Sequence, residues 1–343
     1  MSNYDNRKEI FKEIESSRNS YVISFINGDR RGLETKIGPE IIDIFVEHLD
    51  AIGPTQKISL ILHTLGGDTA VAWRLVNLLQ IFCEELEVIV ISKALSAGTL
   101  ISLGANKIVM TKQACLGPID PSIDHPLNPA VPNAPPQVKA PVSVEAVRGY
   151  LDAASEIGGI KSGKELVEVL VDLSNKVNPL VLGQIFRSRA QIRFLAKKLL
   201  QRQVHDNKKI DEIIDFLCAE SGSHDYTINR REARELGLEI ENPSTEFYGL
   251  LRKIHLSYVD ELNLLEPYAP NSLLAGAPTA DYTLSRAIIE SSNTGCHQFI
   301  SEGTLTKTMV PFQMGPGFVM PGAQQTIEAV QDNRKFEGWR KTK

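Results

Sequence analysis

Tyr21 to Ile26 is a run of β-branched and aromatic residues that stops at Asn27-Gly28-Asp29, which predicts a strand entering a turn. From Pro39 the period changes. Ile41, Ile42, Phe45, Val46 and Leu49 share one helical face, and the pattern ends at Gly53-Pro54. The mostly apolar run Ile58–Leu62 predicts a buried strand, followed by Leu65-Gly66-Gly67-Asp68 and a helix from about Thr69 to Phe82. Val88–Ile91 predicts the next strand, Ser96–Leu103 the next helix, and Lys107–Met110 another strand. This alternation predicts βαβ units and a mostly parallel sheet with helices on its faces.

Past Asp120 the texture changes. Residues 121–141 hold seven of the chain's 18 prolines, a density that excludes helix and central strand and predicts an extended loop or lid. Helical periodicity returns over 143–219, with one helix opening at Asn178-Pro179 (an N-cap followed by Pro at the first helical position) and running to about Gln203. From about Leu250 the pattern weakens. Gly and Pro recur between Gly303 and Gly322, and a short polar helix is predicted over 324–333. The division expected is a polar helical segment 1–19, a main domain 20–249 and a C-terminal extension 250–343 of unassigned role.

Composition narrows the class. With 343 residues, 42% of them hydrophobic, and a net charge of −5, the chain can bury a full core and lacks the basic footprint of a dedicated nucleic-acid binder. Cys83, Cys115, Cys218 and Cys296 are far apart without CxxC spacing, which predicts reduced thiols rather than a disulfide scaffold or zinc knuckle. The polar start, Met1 to Ser20, has no apolar core of a signal peptide, and apolar runs break before the roughly 18 residues of a membrane span. A soluble cytoplasmic protein without metal or cofactor is expected.

Two features fall at the ends of successive strands, where open parallel sheets place ligands. At Gly66-Gly67 the missing side chains let backbone N–H groups approach a substrate and face developing negative charge. In Ala94-Leu95-Ser96-Ala97-Gly98, small neighbours allow a tight turn that exposes the Ser96 hydroxyl, with the Ala97 amide as a second donor. Ala94 stands where the G-x-S-x-G elbow has its first glycine, so that motif as written fails. Alone, each feature reads as a turn or an N-cap; their order and their spacing of about 30 residues raise the joint reading. A nucleophilic serine needs a base and a group that orients it. His48, His205 and His255 lie in surroundings that predict surface positions. His63 ends the strand before the glycines, His125 lies in the proline loop and His297 in the tail. His224 stands out in Ser223-His224-Asp225-Tyr226, just before a short helix.

Thr64-Leu-Gly-Gly-Asp68, Ala94-Leu-Ser-Ala-Gly-Thr-Leu100, Leu116-Gly-Pro-Ile-Asp-Pro121 and Glu232-Ala-Arg-Glu-Leu-Gly-Leu238 form an ordered series. Over about residues 20–240 it resembles the Clp-protease/crotonase superfamily, most closely the serine dehydrogenase proteinase family. The resemblance implies an α/β Clp-protease/crotonase-like fold of repeated ββα/βαβ units, with a helical insertion and a C-terminal extension. It implies a triad in the chain order Ser, Asp, His: Ser96 as nucleophile, Asp120 as orienter, His224 as base. Gly66, Gly67 and Ala97 would supply the oxyanion hole. Asp225 and His125 stay open as alternatives. So does a Ser-Lys dyad like that of related signal peptide peptidases, with Lys93, Lys139, Lys161 and Lys164 nearest in sequence. The expected activity is ATP-independent serine endopeptidase action on a peptide or protein, in a homo-oligomer (trimer or hexamer), with no nucleic acid and no membrane span. A crotonase-like acyl-CoA enzyme and a non-catalytic peptide-binding protein are the competing readings.

Two further patterns carry less. Gly158 to Glu165 matches GxxxxGK but ends in Glu where a phosphate loop needs Ser or Thr, and it follows a helical pattern rather than a strand. Arg189, Arg193 and Lys197 form a basic stripe that reads first as a solvated helix face and second as a docking surface for an acidic partner.

Overall fold

The computed structural model describes residues 3–119, 122–123, 125–132, 134–135, 137–160, 162–220, 226–311 and 326–342. The chain begins α1 (Asn3–Arg18), β1 (Tyr21–Asn27), α2 (Ile41–Ile52), β2 (Thr55–Thr64), α3 (Thr69–Phe82), β3 (Cys83–Ala94), α4 (Ala97–Leu103), β4 (Lys107–Met110) and β5 (Cys115–Leu116). An excursion follows through β6 (Ser122–Ile123), β7 (Val142–Ser143), α5 (Val144–Glu156), α6 (Gly163–Lys176), α7 (Pro179–Leu200) and α8 (Asn207–Asp215), which passes into a π-helical turn, Phe216–Glu220. The chain then forms β8 (Ile228–Asn229), α9 (Arg230–Glu235), β9 (Ile240–Glu241), α10 (Thr245–Glu261), α11 (Pro270–Leu274), β10 (Thr279–Ser291), β11 (Gly295–Pro311) and β12 (Thr326–Lys341).

The main sheet runs β12-β11-β10-β1-β2-β3-β4-β9, with β5 beside the end of β3 and β8 beside β5. From β1 through β9 the neighbours are parallel, whereas β10, β11 and β12 are antiparallel. Side chains alternate between faces. Leu60, Leu62, Val88 and Val90 pack with α2, α3 and α4, while Val22, Ile61, Ile89 and Ile91 pack with α1 and α10. Both faces are covered, so the central strands read as near-continuous apolar runs.

Three buried polar networks attach the outer elements. Arg7 of α1 meets Glu290 of β10 through Nε at 2.6 Å and Nη2 at 3.0 Å, and Tyr258 of α10 donates to the same carboxylate at 2.6 Å. Arg18 pairs with the fully buried Glu87 of β3 and, at 2.7 Å, with Glu241 of β9. In the third, His48 Nδ1 lies 2.7 Å from Ser291 Oγ and His48 Nε2 lies 3.2 Å from His297 Nδ1, whose Nε2 reaches Glu47 at 3.1 Å.

Several expectations change here. β12 replaces the polar helix predicted over 324–333, of which 324–325 lie outside the described residues. Its backbone is committed to a ladder with β11, Val330 packs on the Leu274–Tyr282–Leu305 cluster, and Asp332 accepts from the Tyr282 hydroxyl at 2.6 Å. Tertiary pairing outweighs local helix propensity at such sites. The 249/250 division falls inside α10, and β10 is hydrogen-bonded to β1. His48 is fully buried rather than at the surface, His255 is half-buried, and His205 is exposed.

The remaining sequence features settle simply. Cys83, Cys115, Cys218 and Cys296 form no disulfide, and all but Cys115 are buried. Gly158 follows the end of α5 and Gly163 opens α6, so the element before this motif is a helix and not a strand. Two members of the basic stripe are ion-paired to α8, Arg193 with Asp215 at 2.6 Å and Lys197 with Asp211 at 2.7 Å. Among the described residues, no helix is long and apolar enough to cross a membrane.

Burial, reinforced by His297, pushes the His48 pKa down from 6.5 to about 3, against the attraction of Glu47. The unfolded chain therefore binds the extra proton first, and stability present above pH 6.5 is lost as pH falls toward 3. Denaturant titrations from pH 7.5 to 4.5 should show wild type losing stability more steeply than His48→Asn, by about 1–3 kcal/mol across that window. Equal slopes would show that the His48 site does not resist protonation.

Candidate active site

The C-terminal ends of β2 and β3 lie side by side, and each turns straight into a helix. Their register slips between Leu62/Val90 and Thr64/Ala94, so β3 carries extra residues just before its turn. Such a bulge bends a strand and re-aims the residues beyond it. The two turns are joined where the Leu95 N–H donates to the Thr64 carbonyl at 3.1 Å.

The first turn passes through Gly66 (φ +106°) and Gly67 (φ +147°), both in the region that side chains disfavour. A Cβ on Gly66 would lie 2.8 Å from both the Leu95 oxygen and Ser96 Cβ. On Gly67 it would lie 2.4 Å from the backbone N and O of Ile37. Ile37 fixes this turn from its far side, donating to the Gly66 carbonyl at 2.9 Å and accepting from the Asp68 N–H at 2.9 Å. Asp68 then caps α3, its Oδ1 accepting from the amides of Ala70 and Val71 at 2.7 and 3.2 Å.

The second turn holds Ser96 at φ 51°, ψ −112°, a conformation that costs an L-residue on the order of 1–3 kcal/mol. Its surroundings impose that geometry. Gly98 N–H donates back to Leu95 O at 2.8 Å, Leu100 N–H to Ser96 O at 3.1 Å, and a Cβ on Gly98 would meet Thr64 Cγ2 at 2.5 Å. Ser96 is half-exposed, and its hydroxyl does not cap the helix it precedes. That hydroxyl also makes no hydrogen bond among the described residues.

The backbone amides around it differ. Gly66 N–H donates to Thr64 Oγ1 at 2.9 Å. Among the described residues the amides of Gly67 and Ala97, one on each of the two turns that meet at Ser96, have no hydrogen-bond acceptor.

Asp120, His224 and the alternative Asp225 lie outside the described residues, but the chain leading to each does not. Thr99 Oγ1 lies 2.8 Å from the carbonyls of Ala94 and Gly117 and accepts the Gly117 N–H at 3.1 Å, tying the segment before Asp120 to the Ser96 turn. Ile119, fully buried, donates its N–H to Leu217 O of the π-helical turn at 3.0 Å, and Leu116 pairs with Ile228.

The other candidate bases sit differently. Lys93 Nζ lies 2.6 Å from Asp29 Oδ2. His63 Nε2 lies 3.2 Å from Asp29 Oδ1, close enough for charge pairing but not aligned as a hydrogen bond. Although burial opposes it, His63 and Lys93 hold the Asp29 carboxyl well below its usual range. Burial, aided by His63, pushes the nearby His255 down to about 4. Lys139 is half-buried, Lys164 is exposed, and Lys161 lies outside the described residues. His125 accepts the Leu127 N–H at 3.1 Å and lines a cavity of about 510 Å³ with Asn128, Gln137 and Lys139. Among the described residues no group of three or more His, Cys, Asp or Glu side chains is placed to hold a metal. Thr64 and Thr99, which join the pieces, have no signal in the sequence beyond their presence in the motifs.

Gly67→Ala should lower stability by about 1–3 kcal/mol, because left-handed strain and a backbone collision act together. Gly159→Ala (φ +66°, with no atom near its Cβ position) serves as the control that carries strain alone. Equal thermal shifts for the two variants would show that Ile37 yields freely.

Comparison with known proteins finds a match to the family of ClpP-like SDH-type serine proteinases over residues 1–140. Two uncharacterized proteins of Methanocaldococcus jannaschii are each 30% identical to the chain. One aligns over 257 residues (71% of this chain, 77% of the relative), the other over 254 (71% and 75%). Among solved structures, ClpP1 of Listeria monocytogenes matches with a TM-score of 0.35 and 14% identity, covering 69% of this chain and 98% of that one. A point mutant of the same ClpP1 gives 0.36 and 13%, covering 69% and 99%.

Proposed function

The chain belongs to the ClpP-like SDH-type serine proteinase family, and from that premise we propose that it is an ATP-independent serine endopeptidase acting through an acyl-enzyme on Ser96. The observation that carries this reading is the strained Ser96, whose unclaimed hydroxyl sits where the glycine turn presses on the serine turn, each turn carrying an amide without an acceptor among the described residues. A serine serving only as a helix cap would point its oxygen at the helix amides and adopt an ordinary extended backbone.

In the proposed reaction Ser96 Oγ attacks the scissile carbonyl carbon as His224 takes the hydroxyl proton. Collapse of the tetrahedral intermediate breaks the C–N bond, and His224 returns the proton to the departing amine. Water, deprotonated by His224, then attacks the acyl-enzyme and releases the acid, restoring Ser96. Asp120 holds the imidazole in the tautomer that accepts from Ser96. The Gly67 and Ala97 amides receive the oxyanion, where removal of one donor in comparable enzymes costs about 10²–10³ in rate. Gly66 supplies the close approach, since its own amide is engaged by Thr64.

The hydrogen bond from Ile119 to Leu217 and the pairing of Leu116 with Ile228 support a triad of these residues. They bring the chain one residue before Asp120 against the elements that flank His224. The ion pair between Lys93 and Asp29 disfavours Lys93 as a base, because its amine is already engaged by a carboxylate. β6, which begins two residues past Asp120, pairs with β7 at the far end of the proline-rich segment, which supports that segment's bordering the cleft. Self-association into a trimer or hexamer is supported by exposed apolar side chains on α5–α7 and their flanks, among them Ile157, Leu180, Phe186 and Phe194.

A fluorophosphonate probe should modify Ser96, as located by mass spectrometry, and Ser96→Ala should abolish the label. His224→Ala and Asp120→Asn should each slow turnover by about 10⁴-fold or more. Loss of labelling on substituting a lysine, with His224→Ala unaffected, would move the assignment to a dyad. An unlabelled protein in every assembly state would favour acyl-CoA chemistry or peptide binding without catalysis.

A further inference from the structure

Thr64 is fully buried, and each of its three functional groups is committed to a different part of the site. Its carbonyl accepts the Leu95 N–H at 3.1 Å, which fixes the height of the serine turn. Its hydroxyl oxygen accepts the Gly66 N–H at 2.9 Å, which fixes the first plane of the glycine turn. Its methyl group lies against Gly98, 2.5 Å from where a Cβ would stand, and so packs on the first turn of α4.

Consecutive peptide planes share a Cα, so holding the Gly66 amide constrains where the Gly67 amide can point. With Gly66 N–H turned inward to Thr64 and Gly66 O bonded to Ile37 N, the peptide groups on both sides of the Gly66 Cα are tied. The Gly67 N–H belongs to the second of these planes and, among the described residues, is left without an acceptor. Two adjacent glycines have few intrinsic backbone preferences, so without such ties the turn could present either amide.

We propose that Thr64 is a positioning residue for the reaction: its hydroxyl selects Gly67 over Gly66 as the oxyanion donor and aims that amide at the same point as Ala97. The inference rests on the serine-peptidase reading and adds to it the residue that sets the hole's geometry. Thr64 touches neither substrate nor a reacting atom, and no proton moves through it.

The test separates the hydroxyl from the methyl. Thr64→Val keeps the methyl and loses the hydroxyl; Thr64→Ser does the reverse. The inactivation rate by a fluorophosphonate, whose phosphoryl oxygen uses the same donors, is resolved into its maximal rate constant and its half-saturating concentration. Thr64→Val should lower the maximal rate about 10–100-fold with little change in half-saturation, as expected when a donor is misplaced by a fraction of an ångström to an ångström. Thr64→Ser should stay within about threefold of wild type, and the pH dependence of the rate should not move in either variant.

A purely packing role predicts the opposite order, with Thr64→Val near wild type and Thr64→Ser impaired, and that order would overturn the inference. If Thr64→Val does not fold, Thr64→Ala against Thr64→Ser isolates the hydroxyl in a background lacking the methyl; equal rates there would overturn it as well. Wild-type labelling at Ser96 with all Thr64 variants equal removes the inference alone. No wild-type labelling removes the serine-peptidase reading and this inference with it.

Discussion

The site depends on one close approach. The turn after β2 and the turn after β3 come so near that no Cβ fits at Gly66, and the same crowding excludes one at Gly98. Crowding of this kind converts sequence into geometry. Gly66 presses on the Ser96 turn, Ser96 is held in an unfavourable backbone region, and its hydroxyl is kept from capping α4. Strain of this size persists only where surrounding contacts over-determine it. Here those contacts come from β2 through Thr64, from β5 through Gly117, and from Ile37 across the glycines.

That arrangement needs a rigid sheet, and the sheet is braced from outside by charge as much as by apolar packing. Glu87 lies at the start of the β3–β4 ladder, fully buried, and is neutralised by Arg18 and Lys57. Arg7, equally buried, is matched by Glu290 and Glu261. Ion pairs this deep add little net stability relative to apolar residues of the same shape, but removing one partner strands a charge in the interior. Their effect is to make the placement of α1, α10 and β10 on the sheet specific. The outer strands β11 and β12 extend this braced edge, and the histidines between α2 and β11 seal it with neutral rings.

Much of this was legible in the residue pattern. The period of the apolar positions locates α3 from Thr69 to Phe82 and the parallel strands β1, β2 and β4, because those elements are amphipathic or buried by local rules alone. What escaped the pattern was decided by partners distant in sequence. β3 begins at Cys83, but Glu84, Glu85 and Glu87 make its first residues look like loop; the partner that buries Glu87 lies 69 residues away. The β12 segment has helical composition and is a strand because β11 claims its backbone. His48 sits on an amphipathic helix and is buried because β10 and β11 cover that side. At the site, Ser96, Gly66, Gly67 and Ala97 are readable as types, whereas the difference between the two glycine amides depends on where the Thr64 hydroxyl falls. Asp120 and His224 rest on the ordered motifs and on the described chain beside them.

The contact between Arg7 and Glu290 spans 283 positions of sequence. During synthesis α1 leaves the ribosome with its arginine unmatched, and Glu261 and Glu290 arrive only 254 and 283 residues later. α1 is therefore among the last of these pieces to settle, and its face of the sheet stays open until then. Loop closure over such a separation is slow, and open apolar surface in a growing chain is where misassociation begins. For this protein the vulnerable interval closes only when residue 290 emerges, after every residue proposed for the active site has already been translated.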